Sequence, residues 1–312
     1  MIYVFSNRNL INNETWLGDN FNASGNDNLR VARYLPSSNS VASATLDFYD
    51  EIDGELLPSI QVFNEVELSD KPCCIFIHGF NQSLEKNMKK CEEIESYGVN
   101  VIAFSWPSNP GPQQWYRKLK EYKIARENAR RSTIALERFF NKLNDYRIEK
   151  IEFKNIKSMM VHSLGNYLFQ SFVSGLGYEN QTAFLTNILL HQADADNHDH
   201  EKWINLLTSN NTSKSNNTHV MVTINESDDV LDISDLLNPD RLGNTLDNLT
   251  SQFITYINFG QLPEAKNKHK LWVNEVVVND NAKHFFQSVF KGNKVETEHL
   301  VFDKNKNCFH IT

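Results

Sequence analysis

The chain has 312 residues, 40% hydrophobic and 22% charged, which suits one large α/β domain with appendages or two small domains and excludes a disordered polymer. The formal net charge of −8 argues against a nucleic-acid partner, because phosphate binding needs concentrated Lys and Arg; the one basic stretch, Arg117 to Arg131, is interleaved with Glu121, Tyr122 and Glu127 and reads as a solvated helix face. The four cysteines (Cys73, Cys74, Cys91, Cys308) form no CxxC pair, zinc spacing or disulfide framework, and no run approaches the ~20 apolar residues of a membrane span.

Residues 1–70 are poor in helix signals. Short β-like runs (Ile2 to Phe5, Thr45 to Tyr49, Ile60 to Phe63) alternate with Asn, Gly, Asp and Ser clusters, predicting a β-rich N-terminal extension. From residue 71 to 312 the pattern changes to strand–helix alternation. Cys73 to Ile77 is a buried strand, Leu84 to Tyr97 a helix, and Val101 to Phe104 a second buried strand. Gln113 to Tyr146 is a long amphipathic helix with Leu119, Tyr122, Ile124, Ala125, Ala129, Ile134, Leu136 and Phe140 as apolar contacts. Lys157 to His162 and Leu164 to Val173 are a strand and a helix with no loop between them. Thr186 to Leu190 is a strand, Glu201 to Leu207 a helix, Ser209 to Thr218 a connector, and Val220 to Ile224 a strand. Trp272 to Val278 reads as the last strand and His284 to Phe290 as the start of the last helix. Such alternation predicts a mostly parallel sheet covered on both faces, with chemistry at the carboxyl ends of its strands.

The most informative stretch is Met159-Met160-Val161-His162-Ser163-Leu164-Gly165-Asn166. A Ser at an abrupt strand-to-helix turn has its hydroxyl pushed out at the sheet edge, where it can act as a nucleophile. Gly165 supplies the small residue needed two positions after it. Val161, two before, is a partial departure from the G-x-S-x-G pattern. The helix beginning at Leu164 aims its N-terminus at the site, making the Leu164 N–H an oxyanion donor. Upstream, Ile75-Phe76-Ile77-His78-Gly79-Phe80-Asn81 is an apolar strand ending in His-Gly. There Gly79 permits close backbone approach and the Phe80 N–H is the second donor.

His78-Gly79-Phe80-Asn81, Phe104-Ser105-Trp106-Pro107-Ser108 and His162-Ser163-Leu164-Gly165-Asn166, in that order, resemble the HGFN, FSWPS and HSMGN motifs of a bacterial family of α/β-hydrolases of uncharacterised function. Phe5-Ser6-Asn7-Arg8 is similar to that family's "TNR" opening. The resemblance covers most of the chain, is specific in residues 75–170 and weakens after residue 190. It implies the α/β-hydrolase fold and a hydrolytic reaction, without a substrate.

Ser needs a His to take its proton and a carboxylate to hold the His; in this fold the chain order is Ser, acid, His. After the strand Val220 to Ile224 come Asp228 and Asp229, and the family's Asp three residues before a Leu falls on Asp228; Asp229 is then the helix cap. Asp194 is a further candidate acid. His284 follows the segment ending at Val278 and precedes Phe285-Phe286, similar to the family's His–aromatic ending, with His299 and His310 as alternatives. The segment His191 to His200 (HQADADNHDH) is dense in metal-ligand side chains, but its spacing matches no established metal motif, so no metal or cofactor is expected; the family has an acidic loop there.

The expectation is therefore a cytoplasmic serine hydrolase of the α/β-hydrolase fold, comprising residues 71–312 behind a 1–70 extension. Ser163, Asp228 and His284 are the triad and Phe80 and Leu164 the oxyanion donors. His78, Gly79, His162 and Trp106, with Trp115, line the substrate pocket. The expected substrate is a small ester or lipid-like molecule. Two rival readings are a non-catalytic binding or scaffold protein on the same fold, fed by Val161, and a metal-dependent hydrolase using the Asp194–His200 segment.

Overall fold

A computed structural model describes all residues except 13, 38–43, 53–55, 110–117, 151–152, 209–217, 236–237 and 239. Trp115 and nearly all of the Ser209–Thr218 connector thus lie outside the described residues. The strands are β1 Ile2–Ser6, β2 Arg8–Ile11, β3 Trp16–Phe21, β4 Arg30–Leu35, β5 Thr45–Phe48, β6 Cys73–Ile77, β7 Asn100–Ser105, β8 Ile156–His162, β9 Asn187–His191, β10 His219–Ile224, β11 Ile254–Asn258, β12 Val301–Asp303 and β13 Cys308–His310. The helices are α1 Pro58–Leu68, α2 Leu84–Glu95, α3 Lys118–Glu149, α4 Gly165–Val173, α5 His200–Ile204, α6 Asp229–Asp235 and α7 Asp280–Lys291.

Eleven strands form one sheet in the order β12-β13-β11-β10-β9-β8-β6-β7-β1-β4-β5, while β2 and β3 pair separately. From β13 through to β1 every neighbouring pair is parallel; the end pairs β12–β13, β1–β4 and β4–β5 are antiparallel. The mostly parallel sheet and the antiparallel N-terminal strands are those of an α/β hydrolase. β1 is an interior strand, with β7 on one side and β4 on the other.

The central strands bury both faces, as their unbroken apolar runs require. Alternate residues of β6 enter opposite layers: Cys73, Ile75 and Ile77 pack with α1, α3 and α4, whereas Cys74 and Phe76 pack with α2 and α7. The core-facing residues of α3 include Tyr122, Ala125, Ala129, Leu136, Phe139, Phe140, Leu143 and Tyr146, at three- and four-residue spacings. Leu119, Ile124 and Ile134, expected as contacts, lie on the exposed side of that helix.

Two expected strands are helical. Ile60 to Phe63 lies inside α1, whose first turn Pro58 favours, and Val62, Phe63 and Val66 pack on the sheet. The segment Trp272 to Val278 ends in a 3-10 turn, Asn274–Val278, with Val278 largely exposed. The strand of that region is instead β11, whose free edge is taken by β13. No described helix is long and apolar enough to cross a membrane.

Candidate active site

The strand-to-helix turn at Ser163 is sharp: its φ is +55°, a left-handed conformation that a non-glycine residue holds at a cost of ~1–3 kcal/mol. Four hydrogen bonds fix the backbone. The Ser163 N–H donates to His191 O (3.0 Å), and Ser163 O accepts from the Asn166 N–H (2.9 Å), Asn166 Nδ2 (3.0 Å) and the Asp194 N–H (3.3 Å). Asn166 Nδ2 also reaches back to Val161 O at 2.9 Å, so the Asn two residues into the motif's helix brackets the turn. Val161 is a fully buried β8 residue, paired between Ile77 and Leu190.

Two glycines allow the loop after β6 to touch this turn. A Cβ on Gly79 would lie 2.6 Å from Ser163 Cβ and 2.8 Å from His162 O; one on Gly165 would lie 2.6 Å from His78 O and 3.0 Å from Ile77 O. The N–H groups of Phe80 and Leu164 donate to no other group among the described residues.

Behind the loop, Trp106 N–H donates to His78 Nε2 (3.0 Å) and the Trp106 indole N–H to His78 O (2.9 Å), with the two rings stacked. His78 Nε2 is thus the acceptor, and Nδ1 donates to Gly79 O at 2.9 Å. Burial, then the nearby Arg8 guanidinium, pushes the His78 pKa well below its usual value, so the ring is neutral. Neither His78 nor Trp106 faces the pocket expected of them: both are fully buried and support the loop from beneath. Arg8, also fully buried, ties the N-terminal strands to the same loop. Its Nε donates to Ser105 Oγ (2.9 Å), Nη1 to Asp19 (2.9 Å) and Nη2 to Gln82 O (2.6 Å).

A cleft of about 260 Å³ opens over the turn, lined among others by Phe80, Asn81, Gln82, Lys90, Tyr122, His162, Ser163, Asp194 and His269. His269, on the loop after β11, shares it with Ser163 and with the buried His162. The His269 Nδ1 lies 2.6 Å from Asp228 Oδ2. Asp228 is fully buried, and its other oxygen accepts from the Val230 N–H (3.0 Å) and Leu231 N–H (3.3 Å), capping α6. With the Gln192 amide oriented by its neighbours, its nitrogen donates to Asp228 Oδ2 (2.8 Å) and Gly243 O (3.1 Å). Asp228 therefore joins the carboxylate and capping positions that the sequence divided between Asp228 and Asp229; Asp229 points to solvent.

His284 is not brought to this cleft. It is exposed on α7 and lines a separate surface hollow with Asp280, Glu296 and His299. His310 is buried on β13 beside Asn258 and Cys308. The helix that carries His284 spends its apolar face on the sheet through Phe285, Phe286, Val289 and Phe290, which turns residue 284 outward.

Asp194 does reach the cleft, but its carboxylate is held by Tyr122 Oη (3.0 Å), Ser234 Oγ (2.7 Å) and Arg241 Nη1 (3.7 Å), not by a histidine. The rest of its segment disperses. Asp196 pairs with Arg241, His200 bonds Asn197 O and Tyr256 Oη (2.6 Å each), and His198 is exposed. Among the described residues no three His, Cys, Asp or Glu side chains gather to hold a metal ion.

Under His269 lies an aromatic nest. The His162 ring is 4.8 Å from that of His269 and 5.1 Å from Trp272, and His191 is 4.9 Å from Trp272. Burial first, then neighbouring cations, lowers the pKa values of His162 and His191 well below the usual range, so both rings are neutral.

Residues 60–275 match the family described as alpha/beta hydrolase of unknown function (DUF900). The chain belongs to this family. The matched span contains Ser163, Asp228 and His269 and stops short of His284. No curated protein and no solved structure matches the chain.

Proposed function

We propose that this member of the family is a serine hydrolase cleaving small esters, with Ser163 as nucleophile, His269 as general base and Asp228 as its orienting carboxylate. The observation that carries this reading is the 2.6 Å His269–Asp228 contact beside a serine strained at φ +55° on the same cleft. Asp228 accepting from Nδ1 leaves His269 Nε2 free to take the Ser163 hydroxyl proton. The serine oxygen bonds to the ester carbonyl carbon, and the Phe80 and Leu164 N–H groups hold the oxyanion. Collapse breaks the ester C–O bond, and the alcohol leaves with the proton from Nε2. Water, deprotonated by the same ring, then attacks the acyl-enzyme and releases the carboxylic acid. Partly apolar walls (Phe80, Tyr122, Val230) suit a short acyl or lipid-like chain in a cleft of this size.

A fluorophosphonate probe tests the assignment. Labelling of the natural chain at Ser163, its loss in Ser163→Ala and a fall of about 10³-fold or more in rate for His269→Ala are expected. Absence of labelling in every form would instead support a non-catalytic member of the fold, and labelling dependent on His284 would overturn the choice of base.

A further inference from the structure

We propose that Lys90 binds a carboxylate of the substrate, so that the cleft selects esters whose acyl part carries a second, anionic end. This rests on Ser163 acting as the nucleophile.

Lys90 lies on α2 and its half-buried side chain forms part of the cleft wall with His162, Ser163 and His269. Its ammonium sits 5.9 Å from the centroid of the buried Trp272 ring, a cation–π distance, and makes no hydrogen bond or ion pair among the described residues. Lys270 lies 6.0 Å from the same ring. Two ammonium groups thus face one indole, and Glu93, the carboxylate whose charge acts on Lys90, is engaged by Lys270 at 2.6 Å. One turn before Lys90, Lys86 Nζ is 3.4 Å from Asn81 Oδ1 at the rim of the cleft. The other ionisable cleft neighbours do not neutralise this wall: His162 is neutral, and Asp194 is occupied by Tyr122, Ser234 and Arg241. In a protein of net charge −8, this wall therefore sets an unpaired lysine beside Ser163. Desolvation, and then Lys270, pulls the Lys90 pKa down to about 7, so an arriving anion both pairs with the ammonium and favours its protonated form. With Lys270 paired to Glu93, the one ammonium left matches a carboxylate monoanion in charge and leaves a phosphate dianion half-compensated.

The test compares the 4-nitrophenyl monoester of adipic acid with 4-nitrophenyl hexanoate, which differ by the terminal carboxylate. The natural chain should favour the adipate ester in kcat/KM by about tenfold or more. Lys90→Met should collapse that ratio toward unity, and Lys90→Arg should keep most of it. A second arm titrates monomethyl adipate into Ser163→Ala and into Ser163→Ala/Lys90→Met by NMR; saturable binding should be present in the first and weakened about tenfold in the second. An unchanged ratio across the Lys90 variants, with Ser163 still labelled by fluorophosphonate, overturns the Lys90 site and leaves the nucleophile standing. Lys90-dependent binding without labelling or turnover does the reverse. Should Lys90→Met fail to fold, a folded Lys90→Arg chain that hydrolyses both esters equally also overturns the proposal, as does a melting shift alone, the signature of a lysine merely pairing with Glu93.

Discussion

Asp228 carries two duties with its two oxygens, and substitutions separate them. Oδ2 faces His269 and Gln192 while Oδ1 caps α6. Asn at this position keeps the capping oxygen, since Asn is as good a cap as Asp, but cannot orient the imidazole in the same tautomer. Asp228→Asn is thus expected to cost about 1 kcal/mol in urea unfolding, from the buried His269 and Gln192 contacts at Oδ2 rather than from the cap. Its fluorophosphonate labelling should fall by about 10⁴-fold. Asp228→Ala should lose labelling equally and also about 1–3 kcal/mol of stability, from the vacated cap and the unpaired ring. His284→Ala, on the exposed side of α7, should match the natural chain in both measurements.

At the scale of elements, the site is a contact between β6 and the start of α4 that only glycine permits. A methyl at Gly165 meets two backbone carbonyls, which cannot swing aside as a side chain would. Gly165→Ala should therefore lever α4 off the β6 loop and carry the Leu164 N–H with it. The expected result is an overpacking penalty of about 1–3 kcal/mol in urea unfolding, with labelling reduced about 10²-fold. The turn at Ser163 is legible in the sequence because β8, Ser163 and α4 are contiguous, and the loop that meets it is marked by the His-Gly that follows β6. His269 is not. Residues 266–270 read Lys-Asn-Lys-His-Lys, a surface loop by composition, and the sequence pattern points to a strand at Trp272 to Val278 rather than at Ile254–Asn258. That later segment has the β-branched residues of a strand but no partner to pair with, because β13 returns from the chain terminus to occupy the edge of β11. Local pattern carries no information about which edge is already filled. The same limit explains α1: Ile60 to Phe63 is apolar enough for either element, and only packing beneath β1 and α3 decides.

Across the whole molecule, His78, His162 and His191 are held neutral in the interior, all with pKa values well below the unfolded value near 6.5. The unfolded chain binds their protons more readily. The stabilisation is complete above about pH 6.5 and is lost as pH falls from there toward the folded values, at up to about 1.4 kcal/mol per pH unit for each ring. The urea midpoint should fall gently from pH 8 to 7, where Lys90 is still protonated more fully in the unfolded chain, and drop steeply between pH 6.5 and 5, with an unchanged m value. A midpoint constant down to pH 5 would contradict the buried neutral assignment. The sheet also has a temporal consequence. β1 finds β4 and β5 early, but its other edge must wait for β7, which begins at Asn100. At ~5–20 residues per second of synthesis, that leaves an unpaired Ile-Tyr-Val-Phe edge on the ribosome for on the order of 5–20 s, a template for stray strands and a natural station for a chaperone.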